Sequence, residues 1–165
     1  TSDPEKIKNK SVGAWYYEQV ELGFNYRLTD IQAALGSSQL CRLDQYVLRR
    51  SEIVKYYNEQ FKDIEIDSLV QKPGRCSAHH LYVVQVQGGK QKRDKFYDAL
   101  YKGGIGVNIH YIPVYKQPYY CMSNIKLSAS ETYYNNSLSL PLFPNLSNEN
   151  IELVVKNVID AYGRQ

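Results

Sequence analysis

Residues 81–110 read LYVVQVQGGKQKRDKFYDALYKGGIGVNIH, and this stretch decides the fold class. Its first six residues are rich in β-branched side chains and are closed by a pair of glycines, which predicts a strand over 81–86. Residues 92–102 place apolar side chains at helical spacing and stop at Gly103-Gly104, which predicts an amphipathic helix. Residues 105–110 then predict a second strand, so the segment is expected to run strand, helix, strand.

The flanking sequence adds helices and one short strand. Residues 130–137 are expected to be helical, and residues 138–141 are expected to form a short edge strand because they end in a proline. Ser147 is a candidate cap for a last helix over residues 148–162. These elements predict an α+β fold in which a small sheet is covered on one side by helices, preceded by a long N-terminal helix.

That long helix has a strong start signal. Thr29 is a good N-cap, and Gln32 stands three residues later, which completes a capping box. A straight helix from residue 30 to residue 61 would be about 48 Å long, too long for this chain without a bend, so Gly36 and the Leu43-Asp44 pair are candidate breaks. The predicted organisation is a loop or interface segment over 1–28, a connecting helix over 29–61, possibly bent, and a small domain over 62–165.

Composition excludes several classes of protein. Hydrophobic residues make up 43% of the chain and tyrosine occurs 16 times, so the chain is expected to fold. The net charge of +3 is mixed along the sequence and does not indicate nucleic-acid binding. The three cysteines lack a C-x-x-C pair, and no apolar run approaches the ~18 residues of a membrane span. We therefore expect a reduced, cytoplasmic protein that binds neither membrane nor metal. Residues 1–10 are polar and begin without methionine, so we interpret them as the tail of a loop in a longer protein.

Two stretches combine polar donors with aromatic residues. Asn25 and Arg27 precede the predicted helix start, where backbone amides and the helix dipole favour an anion such as phosphate. The alternative is that Asn25 turns the chain and Arg27 forms a surface ion pair. Residues 110–120 read HYIPVYKQPYY. The tyrosines of this second stretch could be core and rim aromatics or a surface on which a base or sugar stacks, and His110 could be a structural residue at a strand end.

Both stretches resemble a known family. GFNYRLTDIQAALGSSQLCRLDQYVLRRSEIVKYY is similar to the segment that follows the cofactor lysine in the DegT/StrS group of nucleotide-sugar aminotransferases. Four later segments match the family in the same order, so the resemblance covers nearly the whole chain from residue 15. These segments are HHLYVVQV, GGIGVNIHYIPVYKQPYY, SASETYY and SLSLPLFPNLS. Within the group, WYYEQVELGFNYRLTDIQ and HYIPVYKQPYY look most like a transaminase of the pseudaminic acid route.

The resemblance implies the small C-terminal domain of a fold-type-I, pyridoxal-phosphate-dependent enzyme. Such an enzyme would move an amino group from glutamate to C4 of a nucleotide-linked 4-keto-6-deoxy sugar, in surface glycan biosynthesis. The resemblance also implies a homodimer in which Asn25 reaches the cofactor phosphate of the other subunit. His110, Tyr111 and Tyr115 would border the nucleotide-sugar pocket, and Arg27 is a further candidate substrate-binding residue.

The departure from the family concerns the cofactor lysine. The family's S-x-H-x-x-K motif has no counterpart here, since Ser77-Ala78-His79 opens like the motif but Tyr82 occupies the lysine position. We therefore expect no catalytic residue in this chain, no tightly bound cofactor and no activity of the chain alone. Two alternatives stay open: a non-catalytic interaction or regulatory domain of the same fold, and an RNA-binding β-α-β module that stacks bases on its tyrosines.

Overall fold

The computed structural model describes residues 3, 5–8, 16–24, 26–120 and 124–163. The chain separates into two units, Thr1–Cys41 and Arg42–Gln165. In the first unit, helix α1 covers Asp30–Leu40 and starts where the sequence predicts. The hydroxyl of Thr29 accepts the N–H of Gln32, whose side-chain carbonyl accepts the N–H of Thr29, so the predicted capping box is confirmed. None of the residues of α1 is buried within its unit.

The connecting helix predicted over 29–61, possibly bent, is divided into two helices. Helix α2 covers Leu43–Gln60, and Arg42 leaves the helical region with φ −107° and ψ 1°. The break thus lies beside the Leu43-Asp44 candidate, whereas Gly36 lies inside α1. Because α2 buries Ile53, Val54 and Tyr57 in the second unit's core, it belongs to the small domain and is not only a connector.

The second unit contains a three-stranded antiparallel sheet. Strand β1 covers Ile66–Ser68, β2 covers Tyr82–Val86 and β3 covers Ser137–Leu140, in the order β1-β2-β3. Tyr82 pairs with Leu140, and Val86 pairs with Ile66. The central and edge strands were predicted within one residue, but β1, which is only three residues long, was not predicted.

Helices cover the apolar face of this sheet. Helix α3 covers Gly89–Lys102, α4 covers Ser128–Asn136 and α5 covers Asn148–Gly163. The hydroxyl of Ser147 accepts the N–H of Asn150 and caps α5 as predicted. One hydrophobic cluster joins the sheet to α2, α3 and α5, and its fully buried members are Tyr57, Val84, Val86, Phe96, Leu100, Leu138 and Val158. This arrangement is the α+β fold expected from the sequence.

The prediction of a strand over residues 105–110 is wrong. Asn108 makes one isolated bridge with Ser139, through two backbone hydrogen bonds of 2.7 and 3.2 Å. The side-chain carbonyl of Asn108 accepts the N–H of Ile109 at 2.8 Å, so this backbone donor is taken locally and the ladder ends. Residues 109–113 therefore leave the sheet as a loop.

Candidate functional site

The loop that follows the bridge between Asn108 and β3 carries three of the candidate substrate-binding residues. We call residues 110–117 the candidate loop. His110 stands at its start, where Nδ1 lies 2.7 Å from the hydroxyl oxygen of Ser139 in β3. The rings of His110 and Tyr111 meet edge to face at 4.6 Å, and Tyr111 is 70% exposed. The sheet thus holds the histidine and leaves the tyrosine accessible.

The far end of the candidate loop is tied to α4. Residues Val114–Lys116 form a single turn of 3₁₀ helix. Within it, the hydroxyl of Tyr115 donates to Oε1 of Glu131 at 3.1 Å, and Nζ of Lys116 lies 3.2 Å from the same oxygen. Both contacts cross from the loop to the first turn and a half of α4, so they join two segments that are separate in sequence.

These contacts shift two pKa values in opposite directions. The hydrogen bond from Lys116, followed by that from Tyr115, lowers the pKa of the Glu131 carboxyl. Partial desolvation, followed by the hydrogen bond to Glu131, raises the pKa of the Tyr115 phenol. At neutral pH the arrangement is therefore an ionised carboxylate that accepts hydrogen bonds from a neutral phenol and an ammonium group.

A shallow cavity of about 460 Å³ lies between the candidate loop and α4. Tyr111, Val114 and Tyr115 line it from the loop, and Leu127 and Tyr133 line it from the α4 side. Apolar walls with several phenol groups suit a ligand that has both a flat or apolar face and hydroxyl groups, such as a sugar or a nucleoside. The structure thus brings Tyr111 and Tyr115 together at one cavity. His110 is next to Tyr111 in sequence but does not line the cavity.

The remaining two candidate residues belong to the first unit. Arg27 is exposed two residues before the Thr29 cap of α1. Asn25 lies outside the described residues, so its side chain has no described position. The capping box uses the N–H groups of Thr29 and Gln32, and the carboxylate of Asp30 stands in the first turn of α1. An anion near this helix start would therefore depend on side-chain donors more than on helix amides.

The structure explains the partial match of residues 77–82 to the S-x-H-x-x-K motif, which ends at Tyr82. Tyr82 lies buried in β2, where its hydroxyl donates to the side-chain oxygen of Asn58 at 2.7 Å. Burial raises the pKa of Tyr82 to about 12. The residue at the lysine position of the S-x-H-x-x-K pattern is thus a core tyrosine of the small sheet, and the partial match is accidental.

Sequence reasoning missed Glu131 and Ser139. Glu131 lies 16 residues from Tyr115, and Ser139 lies 29 residues from His110. No local spacing rule links residues so far apart. The available signal was an acidic residue, Glu131, in the first turn of the helix that follows a loop with two tyrosines and a lysine.

The described residues contain neither a membrane-spanning helix nor a metal-binding cluster. Within the described ranges, no helix is both long and apolar enough to cross a membrane. Among the side chains that the structure describes, no group of three or more His, Cys, Asp or Glu is placed to hold a metal ion.

Solved structures share this fold. Helicobacter pylori PseC, described as an aminotransferase involved in pseudaminic acid biosynthesis, superposes with a TM-score of 0.82 at 29% identity, over 92% of this chain and 42% of its own. Streptococcus pneumoniae Spr1654 in its PLP form gives 0.80 at 29% identity, over 91% and 40%. Both support the α+β domain derived from the sequence.

Curated relatives agree with the structures. Bacillus subtilis SpsC, a spore coat polysaccharide biosynthesis protein, is 38% identical over 159 residues, which are 91% of this chain and 41% of SpsC. A Campylobacter jejuni UDP-4-amino-4,6-dideoxy-N-acetyl-β-L-altrosamine transaminase is 32% identical over 85% of this chain and 38% of its own. The chain spans about 40% of the length of the curated relatives it matches. The sequence profile of the DegT/DnrJ/EryC1/StrS aminotransferases matches residues 5–159. The chain therefore belongs to the DegT/DnrJ/EryC1/StrS aminotransferase family.

Proposed function

We propose that this chain acts as the C-terminal portion of a pyridoxal-phosphate-dependent sugar aminotransferase. The proposed reaction moves the amino group of glutamate to C4 of a nucleotide-linked 4-keto-6-deoxy sugar, as on the pseudaminic acid route. The observation that carries the proposal is the family match over residues 5–159, which includes both Asn25 and the candidate loop. The named activity of the Campylobacter relative supports the substrate class.

Asn25 of this chain is the candidate contact with the cofactor phosphate, and no residue matches the family lysine that attaches the cofactor. The chain contains no S-x-H-x-x-K motif, and the accidental partial match over residues 77–82 ends in a core tyrosine. When bound, pyridoxal phosphate supplies the electron sink that amino-group transfer needs. The Asn25 amide would donate to the phosphate of the cofactor in the other subunit of a homodimer. A charged partner makes such a hydrogen bond stronger than a neutral one.

The candidate loop would hold the sugar nucleotide. Tyr111 and Tyr115 offer ring faces to the sugar or base, and their oxygens can hydrogen-bond to its hydroxyl groups. His110 is held by Ser139 through Nδ1, so Nε2 is the ring nitrogen with which it would contact a ligand. Arg27, in the first unit, is proposed separately as a substrate-binding residue whose positive charge suits a phosphate group. Binding and orientation are the roles that these side chains can perform.

A non-catalytic interaction or regulatory domain is the second candidate. It would use the same fold without the reaction, and the chain itself contains no S-x-H-x-x-K motif. The RNA-binding alternative is disfavoured because residues 105–110 form no strand and β2 pairs only with antiparallel neighbours, so no β-α-β unit exists over 81–110.

The activity is tested in a longer protein that contains this chain together with the family lysine. With glutamate and a UDP-linked 4-keto-6-deoxy sugar, mass spectrometry is expected to show the amino sugar and an equal amount of 2-oxoglutarate. UDP-N-acetylglucosamine is the matched control, because its C4 hydroxyl offers no carbonyl to an amine. Failure to aminate any nucleotide-linked keto-sugar would contradict the proposed activity.

The cofactor assignment is tested on this chain alone. Incubation with pyridoxal phosphate followed by borohydride is expected to give no lysine adduct at one site in one-to-one amount, because no lysine occupies the family position. Scattered, substoichiometric labelling of exposed lysines is the background expected for any protein. A stoichiometric adduct at a single lysine would show that this chain carries its own attachment site.

A further inference from the structure

One carboxylate oxygen holds two consecutive residues of the candidate loop. Oε1 of Glu131 receives the hydroxyl of Tyr115 at 3.1 Å and the ammonium of Lys116 at 3.2 Å. The side chain of Glu131 is only 30% exposed, and that of Lys116 is 36% exposed. Glu131 belongs to α4, which also carries Tyr133 in the wall of the cavity. A single residue therefore fixes the loop against the helix that forms the other wall.

The hydrogen bond to Glu131 also determines what Tyr115 can offer a ligand. A phenol has one proton to donate and lone pairs with which it accepts. Because Tyr115 donates that proton to an ionised carboxylate, its oxygen can only accept further hydrogen bonds. The backbone N–H of Leu127 already donates to this oxygen, which leaves its second lone pair for a ligand. A sugar hydroxyl group, or an N–H group of a base, is a donor of the required kind.

We infer that Glu131 is a positioning residue of the candidate site: it holds Tyr115 against the cavity and orients the phenol so that its oxygen accepts a hydrogen bond from the ligand. The sugar nucleotide as the ligand rests on the proposed function, whereas the anchoring of the loop does not. Lys116 strengthens the arrangement because its charge keeps Glu131 ionised. The side chains of His110 and Tyr111, at the other end of the loop, depend on Ser139 instead.

The anchoring is tested by backbone hydrogen exchange over residues 112–117 of this chain. Glu131→Ala and Tyr115→Phe are each expected to speed exchange in this segment. The double variant is expected to add little to Glu131→Ala, because that variant already removes the bond to Tyr115 together with the Lys116 ion pair. Glu131→Gln keeps an acceptor for Tyr115 and is expected to restore part of the protection. Glu152→Gln is the matched control, since it makes the same chemical change on α5 and is expected to leave the loop unchanged. Unchanged loop exchange in Glu131→Ala, or fully additive effects, would overturn the inference.

The positioning role is tested by steady-state kinetics in the longer protein that carries the family lysine. Glu131→Ala is expected to raise KM for the nucleotide sugar roughly three- to ten-fold while kcat changes little, as when binding common to ground state and transition state is lost. The KM of Glu131→Gln is expected to lie between those of Glu131→Ala and the unsubstituted protein. An equal loss in kcat, or an unchanged KM, would overturn the role. If even the unsubstituted protein aminates no sugar, the proposed function fails, and the exchange experiment still decides whether Glu131 anchors Tyr115.

Discussion

His110 and Ser139 are joined by a 2.7 Å hydrogen bond between Nδ1 and Oγ, across 29 residues of sequence. Ser139 also exchanges two backbone hydrogen bonds with Asn108, so one residue of β3 fixes both the chain and the side chain at the start of the candidate loop. A site built on a strand edge is more rigid than one built within a loop, because the sheet determines where its side chains stand.

Ser139→Ala is expected to destabilise the second unit by about 1 kcal/mol, the usual net contribution of such a hydrogen bond. Ser137, two residues earlier on the same strand, is the matched control. Its buried hydroxyl has no hydrogen-bond partner among the described atoms. Ser137→Ala is therefore expected to leave stability unchanged or to raise it. Urea unfolding of both variants measures the difference, and equal costs would contradict the role given to Ser139.

Local signals in the sequence predicted much of the fold. Thr29 and Gln32 are three residues apart, and Ser147 and Asn150 likewise, so both caps were visible as spacing patterns. The strand predicted over 105–110 was lost because the side chain of Asn108 competes for the N–H of Ile109, and a residue's propensity does not reveal such competition. Strand β1 is stabilised by its pairing with β2, about 20 residues further along the chain. The three residues of β1 alone therefore carry too little information to predict it.

The candidate site was predictable only in part. The sequence identified Tyr111 and Tyr115 as unusual, and the structure places both at one cavity. The anchors Glu131 and Ser139 are distant in sequence, so they emerge only when α4 and β3 pack beside the loop. The roles of Asn25 and Arg27 stay predictions.

Arg93 gives a second stability prediction. It is 1% exposed on α3, its guanidinium lies over the ring of Tyr134 at 5.3 Å, and Nε lies 2.8 Å from the Asp94 carboxylate. That ion pair lacks hydrogen-bond geometry, and Nη1 has no partner among the described residues. Arg93→Met keeps the buried aliphatic stem and removes the unsatisfied N–H groups, so it is expected to be neutral or stabilising.

Arg93→Ala is the comparison that separates packing from charge. It removes the stem as well and is expected to cost about 2–4 kcal/mol, as other large-to-small changes in cores do. Urea unfolding of both variants decides between the explanations. A cost for Arg93→Met as large as that for Arg93→Ala would mean that the guanidinium stabilises the fold through its contacts with Tyr134 and Asp94.

The first unit is expected to associate through its apolar surface. Ile31 is 83% exposed and Leu35 is 60% exposed on α1, one helical turn apart, and Leu22, Phe24 and Tyr26 are at least 86% exposed within the same unit. Exposed apolar groups of this extent favour contact with another surface. Sedimentation velocity of this chain is expected to show self-association that Ile31→Gln with Leu35→Gln weakens. Leu153→Gln on α5 is the control, and a strictly monomeric unsubstituted chain at high concentration would contradict the prediction.

Asn25→Ala is expected to weaken cofactor retention more than it disturbs folding. Asn25 precedes the Thr29 cap by four residues, and the capping box already uses two backbone donors of that helix start. A phosphate at this helix start would therefore need side-chain donors, and we expect the Asn25 amide to be one of them. Loss of a hydrogen bond to a charged group costs about 1.5–3 kcal/mol, or on the order of ten- to a hundred-fold in affinity. The measurements are the dissociation constant of pyridoxal phosphate and the thermal midpoint of the cofactor-free protein, both in a longer protein with the family lysine.

Mixed dimers decide whether Asn25 acts across the subunit interface. One subunit would carry Asn25→Ala with the family lysine intact, and the other would carry wild-type Asn25 with that lysine replaced. If Asn25 reaches the partner's cofactor, the wild-type amide completes the site that holds the only lysine, and one of the two sites per dimer regains cofactor affinity and activity. If Asn25 serves its own subunit, the hybrid contains no complete site and stays inactive. A merely turn-forming Asn25 would instead lower the thermal midpoint and leave the dissociation constant unchanged in every combination.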